Sequence, residues 1–173
     1  MLRRVIITAI MMFVCFIAQT SVFGAFSVTS STPNLMMILT VSFSLMRGDI
    51  CGMLVGFSAG LLTDIFYSDL IGFYALLYMY AGYLCGRFHK KFYPENLILP
   101  LSVITLADFA FGIVSFIALF AVRQRFQVLY YLTGIILPEA VYTLIVAIFL
   151  YPLILRVNTW LEDIEQRSAR KFV

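Results

Sequence analysis

Acidic residues within apolar stretches are the first candidates for chemistry in this sequence. Three fall in such stretches: Asp64, Asp108 and Glu139. A charged side chain at bilayer depth costs several kcal/mol, so such residues usually face a partner or a cavity. Two interpretations stay open for Asp108 and Glu139. They form a binding or proton site between two helices, or they hydrogen-bond neighbouring Ser, Thr or Tyr and fix helix packing.

Asp64 closes a series of small residues. Glycines recur at intervals of four on two successive apolar stretches: Gly52, Gly56, Gly60, then Gly82 and Gly86. This spacing keeps the first three glycines and Asp64 on one face of a helix. Glycine lets a neighbouring helix approach backbone to backbone, as membrane helices often do. The series predicts a face for helix packing or for a partner, with Asp64 hydrogen-bonded near the start of the next helix, beyond a turn that contains Gly72.

The elements that position these residues follow from composition. The chain is 62% hydrophobic and 12% charged, far from the globular average of about half apolar and a quarter charged. The sequence therefore predicts an all-α integral membrane protein with no soluble domain. Six stretches are candidate spans: 5–26, 33–46, 50–67, 70–86, 97–122 and 128–155. The second is short, because a span needs about 20 apolar residues.

Loop charges favour six spans with both termini in the cytoplasm. Lys and Arg accumulate on the cytoplasmic side of short loops, and this topology leaves only Arg123 and Arg125 of the 12 outside. The chain divides into a transmembrane domain, 1–155, and a basic amphipathic cytoplasmic tail, 156–173. In the tail, Trp160 suits an interfacial anchor and the basic residues suit anionic membrane lipids. The expected location is the bacterial inner (cytoplasmic) membrane.

Motifs for catalysis or for cofactors are not found in the sequence. The single histidine, His89, lies in a basic loop, and the cysteines follow no metal-ligand spacing: Cys15, Cys51 and Cys85. The cysteines are interpreted as small apolar residues. We therefore expect no enzyme activity, no catalytic residues, no cofactor, no metal and no nucleic-acid partner.

The stretch from Pro33 to Leu76 resembles the MreD family of bacterial rod shape-determining membrane proteins. The resemblance depends on "PNLMMIL", on the glycine series that ends at Asp64, and on "LIGFYAL". A looser similarity lies in "GIILPEA". The positions that match the family are Pro33, Asn34, Gly56, Gly60, Asp64, Gly72, Gly134 and Pro138.

The resemblance implies a scaffold in the cell-elongation complex that supports side-wall peptidoglycan synthesis. Its implied partners are an MreC-like bitopic membrane protein and, indirectly, the MreB filament, a SEDS glycosyltransferase and a class B penicillin-binding protein. These proteins are also similar in fold to substrate-binding S-components of energy-coupling factor vitamin transporters, which gives the alternative function. In that alternative Asp108 and Glu139 line a small-molecule pocket. S-components usually dock through small residues four apart on the first helix, whereas Ala9 and Ala18 are nine apart, which favours the scaffold.

Overall fold

The fold is all-helical, as the composition predicts. It is taken from a computed structural model that describes residues 2–23, 32–67, 71–91, 97–123 and 132–170. Within these ranges the six helices are α1 (Leu2–Ile17), α2 (Leu35–Arg47), α3 (Asp49–Tyr67), α4 (Phe73–Gly86), α5 (Ile98–Arg123) and α6 (Leu137–Arg170). A π-helical segment, Ala18–Phe23, extends α1, a 3-10 turn, Arg87–Lys91, follows α4, and a π-helical turn, Leu132–Ile136, precedes α6.

The short helix α2 lies at the centre of the fold. It contacts each of the other five helices, and every residue from Leu35 to Met46 is buried. A helix that is apolar on all sides lies either in lipid or in the core of a protein, and here the other helices bury it. Its 13 residues span only about 20 Å at 1.5 Å per residue. The unusual shortness of this segment is thus compatible with a helix enclosed by protein along its whole length.

Both ends of α2 carry hydrogen-bond partners, which a buried helix end requires. At the first turn, Asn34 Oδ1 accepts from the Met37 N–H at 3.0 Å, and Gln19 Oε1 accepts from the Met36 N–H at 3.3 Å. At the last turn, the Leu45 carbonyl lies 2.6 Å from His89 Nδ1. Gly48 then turns the chain into α3 with φ +90°, a conformation that other residues rarely adopt.

Four segments are long and apolar enough to cross a membrane among the residues described: Arg3–Ser21, Asp49–Tyr67, Ile98–Ala118 and Leu132–Ile164. With α2 and α4, which are 13 and 14 residues long, they make six helices in a multi-pass membrane protein. The exact number of spans and the side on which each terminus lies stay predictions. Arg125, one of the two basic residues predicted on the outside, falls beyond the described ranges.

Helix α6 continues without a break past residue 155, where the change in charge predicts a boundary between the transmembrane domain and the tail. Asn158 and Leu161 are each only 3% exposed. The Asn158 side chain accepts a hydrogen bond from Arg47 Nε at 2.6 Å, so the beginning of the predicted tail packs on the end of α2. Trp160 is 56% exposed. Residues 171–173 lie outside the described residues.

Candidate functional site

The first of the predicted sites is the glycine series, and the structure places it between α3 and α4. A Cβ added to Gly52 would lie 2.7 Å from the Gly82 carbonyl oxygen, and one added to Gly60 would lie 2.7 Å from the Ala75 nitrogen. Between them, Gly56 lies against the backbone carbonyl of Tyr78. The two helices therefore touch backbone to backbone through several turns.

Further contacts extend this interface at the end of α4 that follows Gly82. Gly86 lies against the backbone of Asp49, so a side chain there would meet the first turn of α3. The hydroxyl of Ser44 donates a hydrogen bond to the Gly82 carbonyl, which adds α2 to the same contact. The glycine face is thus covered by other helices of the same chain.

Asp64 lies where the glycine series ends, and its carboxylate caps α4. Its side chain is fully buried. One oxygen accepts from the backbone N–H groups of Gly72 and Ala75 at 3.0 and 2.9 Å, and the other accepts from that of Tyr74 at 3.0 Å. These are N–H groups of the first turn of α4, which have no partner within their own helix. A carboxylate is also favoured there by the helix dipole.

Gly72 explains why this cap comes from another helix. It occupies the N-cap position of α4 with φ +105°, and it has no side chain with which to cap the helix itself. The left-handed backbone suits glycine, which has no Cβ. The turn therefore presents its N–H groups to α3, and Asp64 satisfies three of them.

A second polar group of residues surrounds the N-terminus of α2. Asn34 Oδ1 accepts both the Met37 N–H and the hydroxyl of Tyr78, the latter at 2.7 Å. The Asn34 backbone N–H donates to Thr143 Oγ1 at 3.0 Å. Asn34, Tyr78 and Thr143 are all buried. This network connects α2 to α4 and to α6.

Asp108 lies beside this network, close to Thr143 and to Asn34. It is 3% exposed, and neither of its carboxyl oxygens accepts a hydrogen bond within the described part of the chain. Glu139 is near enough for its charge to interact with Asp108. The structure therefore places Asp108 and Glu139, which the sequence predicts as members of one site, near each other. Asn34, a residue of the motif that resembles the family, lies beside Asp108. Pro33, the motif's other residue here, is buried just before α2.

Glu139 lies closer to the N-terminus of its α-helix than the sequence indicates. The apolar run starts near residue 128, which would place Glu139 at mid-depth. The regular turns of α6 begin at Leu137, and Glu139 lies in the first of them. Gly134 belongs to the π-helical turn before α6, and Pro138 follows that turn directly. Proline is tolerated in the first turn of a helix because the N–H there lacks an intrahelical partner.

An apolar groove lies between α4 and α5. It has a volume of about 680 Å³. Its walls include both small and aromatic side chains: Tyr80, Ala81, Phe88, Ala107, Ala110 and Phe111. Leu84 and Leu106, which also line it, are 58% and 68% exposed. We call this feature the α4–α5 groove.

Several residues that make these contacts could not be identified from the sequence. Thr143 and Tyr78 look like ordinary members of apolar helices, yet both bond to Asn34. His89 reads as a residue of a basic loop but contacts the end of α2. Only their positions in space distinguish them. Asn34 itself has a local signal, because asparagine before an apolar run is a favoured N-cap.

The chemistry available to these residues is hydrogen bonding and packing. In the part of the chain that the structure describes, no group of three or more His, Cys, Asp or Glu side chains could hold a metal ion. Cys15, Cys51 and Cys85 are free thiols. Asp64 stabilises a helix start, and Asp108 with Glu139 lies against a polar network that joins three helices.

One comparison with known proteins gives a match. The model of a family described as "MreD: rod shape-determining protein MreD" matches residues 1–157 of the 173-residue chain. The match covers the glycine series, both polar networks and most of α6. No curated protein and no solved structure matches the chain. None of the comparisons supports the alternative of a vitamin-transporter S-component.

Proposed function

Because the chain belongs to the MreD family of rod shape-determining proteins, we propose that it is a membrane scaffold of the bacterial cell-elongation complex. In this role it supports side-wall peptidoglycan synthesis and catalyses no reaction itself. The family is a shape-determining, structural one that functions in a complex with other proteins. The scaffold resides in the cytoplasmic membrane with both termini inside.

The observation that carries the proposal is the α4–α5 groove. The glycine face of α3 is already occupied by α4, so that face is not the one that meets a partner. The groove, in contrast, is apolar and exposed, and Ala81, Ala107 and Ala110 leave room along it. Small residues of this kind let another transmembrane helix approach closely.

The occupant that fits the groove is a single transmembrane helix of a bitopic, MreC-like protein. The groove extends from Leu77 on α4 to Phe88 in the 3-10 turn that follows it, which is about 16 Å, or three helical turns. Its aromatic rings supply large apolar contact area. The MreB filament, the SEDS glycosyltransferase and the class B penicillin-binding protein would join through the assembly.

Affinity purification tests the scaffold role. The tagged protein is purified from its native bacterium in mild detergent, and the retained proteins and small molecules are identified by mass spectrometry. We expect an MreC-like protein and cell-wall synthases. Recovery of transporter ATPases, or of a stoichiometric vitamin, would contradict the scaffold and support a transporter.

A pair of variants ties the result to the groove. Ala110 is exposed and lines the groove, so Ala110→Phe fills the space without disturbing the core. Ile117 is 59% exposed on the same helix and does not line the groove, so Ile117→Phe is the control. We expect the first variant to lose the bitopic partner and the second to retain it.

A further inference from the structure

The α4–α5 groove has two rims, and each rim is a row of side chains spaced four residues apart. All six side chains are exposed: Tyr80, Leu84 and Phe88 on one rim, and Leu106, Ala110 and Val114 on the other. Residues four apart on an α-helix lie on one face, about 6 Å from each other. The rims therefore repeat with the spacing of side chains along a helix.

The floor of the groove consists of two further rows with the same spacing. Its six side chains are buried or half-buried: Leu77, Ala81 and Cys85 from α4, and Val103, Ala107 and Phe111 from α5. The middle member of each row is alanine, which has the smallest side chain of the three. The floor is therefore deepest at Ala81 and Ala107, and we call this place the alanine hollow.

The packing of α4 on α5 places the two alanines opposite each other. Tyr78 comes directly after Leu77, the first floor residue of α4, and its ring lies 4.8 Å from the ring of Phe111, the last floor residue of α5. The two floor rows therefore run in opposite directions, and their middle members meet. The hollow thus has a small side chain on each side.

The lining of the groove is almost free of polar groups. None of the described side chains that line it is charged, and only Tyr80 and Cys85 carry a polar atom. A charged or hydrogen-bonding group that entered the groove would lose water without gaining a partner. The surface that fills the groove must therefore be apolar.

On the basis of the scaffold function proposed above, we propose that one large apolar side chain of the partner's transmembrane helix fills the alanine hollow and anchors the complex. A row of side chains four apart on that helix repeats every 6 Å or so, as the rims do, so the row packs between them and one member reaches the floor. A lipid acyl chain has no such repeat. Anchors buried in well-packed pockets dominate the binding energy of protein interfaces.

An alanine scan of the partner tests this inference without altering the chain described here. Once co-purification has identified the bitopic protein, each large apolar residue of its transmembrane helix is changed to alanine in turn, and its retention by the tagged full-length protein is measured. We expect one change to weaken retention about thirty-fold and the others to have much smaller effects. Small, even effects at all positions would overturn the anchor.

A size exchange locates the anchor in the hollow. Ala81→Leu and Ala107→Leu fill the hollow and should each weaken retention of the wild-type partner about thirty-fold. Retention should return when the partner's anchor is changed to alanine, because the exchange conserves the total volume. Ile117→Phe, outside the groove, is the control, and monodispersity in detergent shows which variants are folded.

The outcomes separate the anchor from the scaffold. If Ala110→Phe loses the partner but folded Ala81→Leu and Ala107→Leu proteins retain it, the anchor is overturned and the scaffold stands. If all three variants retain the partner, both are overturned. Failure of the alanine change at the partner's anchor to restore retention by folded Ala81→Leu and Ala107→Leu proteins would also overturn the anchor.

Discussion

The two sides of helix α4 differ in whether another helix of the chain covers them closely. On the α3 side, glycines bring backbones into direct contact and Asp64 holds the first turn with three hydrogen bonds. On the α5 side, alanines and aromatic rings line an exposed groove of about 680 Å³. Small residues occur on both sides. Their presence alone therefore does not identify a partner site, and what matters is whether another helix of the chain already covers them.

The largest effect is expected on the α3 side. Gly56→Leu places a side chain against the Tyr78 backbone, which no side-chain rotation can relieve. Overpacking a core costs about 1–3 kcal/mol and more where backbone must move, so we expect loss of the folded protein. Yield and monodispersity in detergent measure this. Phe57→Leu, at the neighbouring 40% exposed position, should behave as wild type. A well-folded Gly56→Leu protein would show that α3 and α4 are not held in this register.

The next largest effect concerns the cap on α4. Asp64→Ala removes the acceptor of three buried N–H groups, and hydrogen bonds to a charged group contribute about 1.5–3 kcal/mol each. We expect the free energy of unfolding to fall by about 3 kcal/mol or more. Thermal unfolding in detergent measures it, with exposed Asp163→Ala as the control, for which about 0.5 kcal/mol or less is expected.

Asp64→Asn sharpens the same point. An amide nitrogen cannot accept a hydrogen bond, and both carboxylate oxygens of Asp64 are acceptors. The asparagine variant should therefore also be destabilised, although by less than the alanine variant. Tolerance of Asp64→Asn at full stability would contradict the observed cap. Loss of function with full stability would indicate a role for the charge beyond packing.

The α5 side should respond in the opposite way. Ala110→Phe leaves the core untouched, so its stability should stay within about 0.5 kcal/mol of wild type. Capture of the bitopic partner should nevertheless be lost, as measured by co-purification. If Ala110→Phe unfolded the protein, the groove would be part of the core. If it retained the partner, the groove would not be the docking face.

The smallest effect is expected at Asp108. Asp108 lies close to Thr143 and Asn34, but its carboxyl oxygens have no partner at hydrogen-bond geometry among the described residues. Asp108→Asn keeps the shape of the side chain and one acceptor oxygen. We expect the free energy of unfolding to change by about 1 kcal/mol at most, with normal partner capture. Thermal unfolding and co-purification measure the two. A folded Asp108→Asn protein with no function would show that Asp108 and Glu139 form a working site.

The sequence allows the α3–α4 contact to be predicted because its signal is local. A spacing of four between glycines defines a helix face, and the short turn with Gly72 requires α4 to return along α3. The central position of α2 could not be predicted in the same way. Its apolar residues look the same whether they face lipid or protein, and only the packing of five other helices distinguishes the two.

The residues that surround the intramembrane acids could not be predicted from local sequence patterns either. Asp108 meets Asn34 and Thr143, which are distant in the sequence and lie on different elements. The position of Glu139 in the first regular turn of α6 could not be predicted either, because the apolar run continues through the π-helical turn at Leu132–Ile136 without a change in pattern. The boundary predicted at residue 155 falls inside α6 because a change in charge does not require the helix to end.

Site-specific photo-crosslinking in the native bacterium tests the scaffold most directly. A photoreactive residue is placed at Leu84, Leu106 or Ala110 in the α4–α5 groove, and at Ile117 and Ile148 as exposed positions outside it. The scaffold account predicts crosslinks to one bitopic membrane protein from the groove positions and none from the other two. Crosslinks only to lipid from the groove, or equal crosslinks to that protein from all five positions, would contradict it.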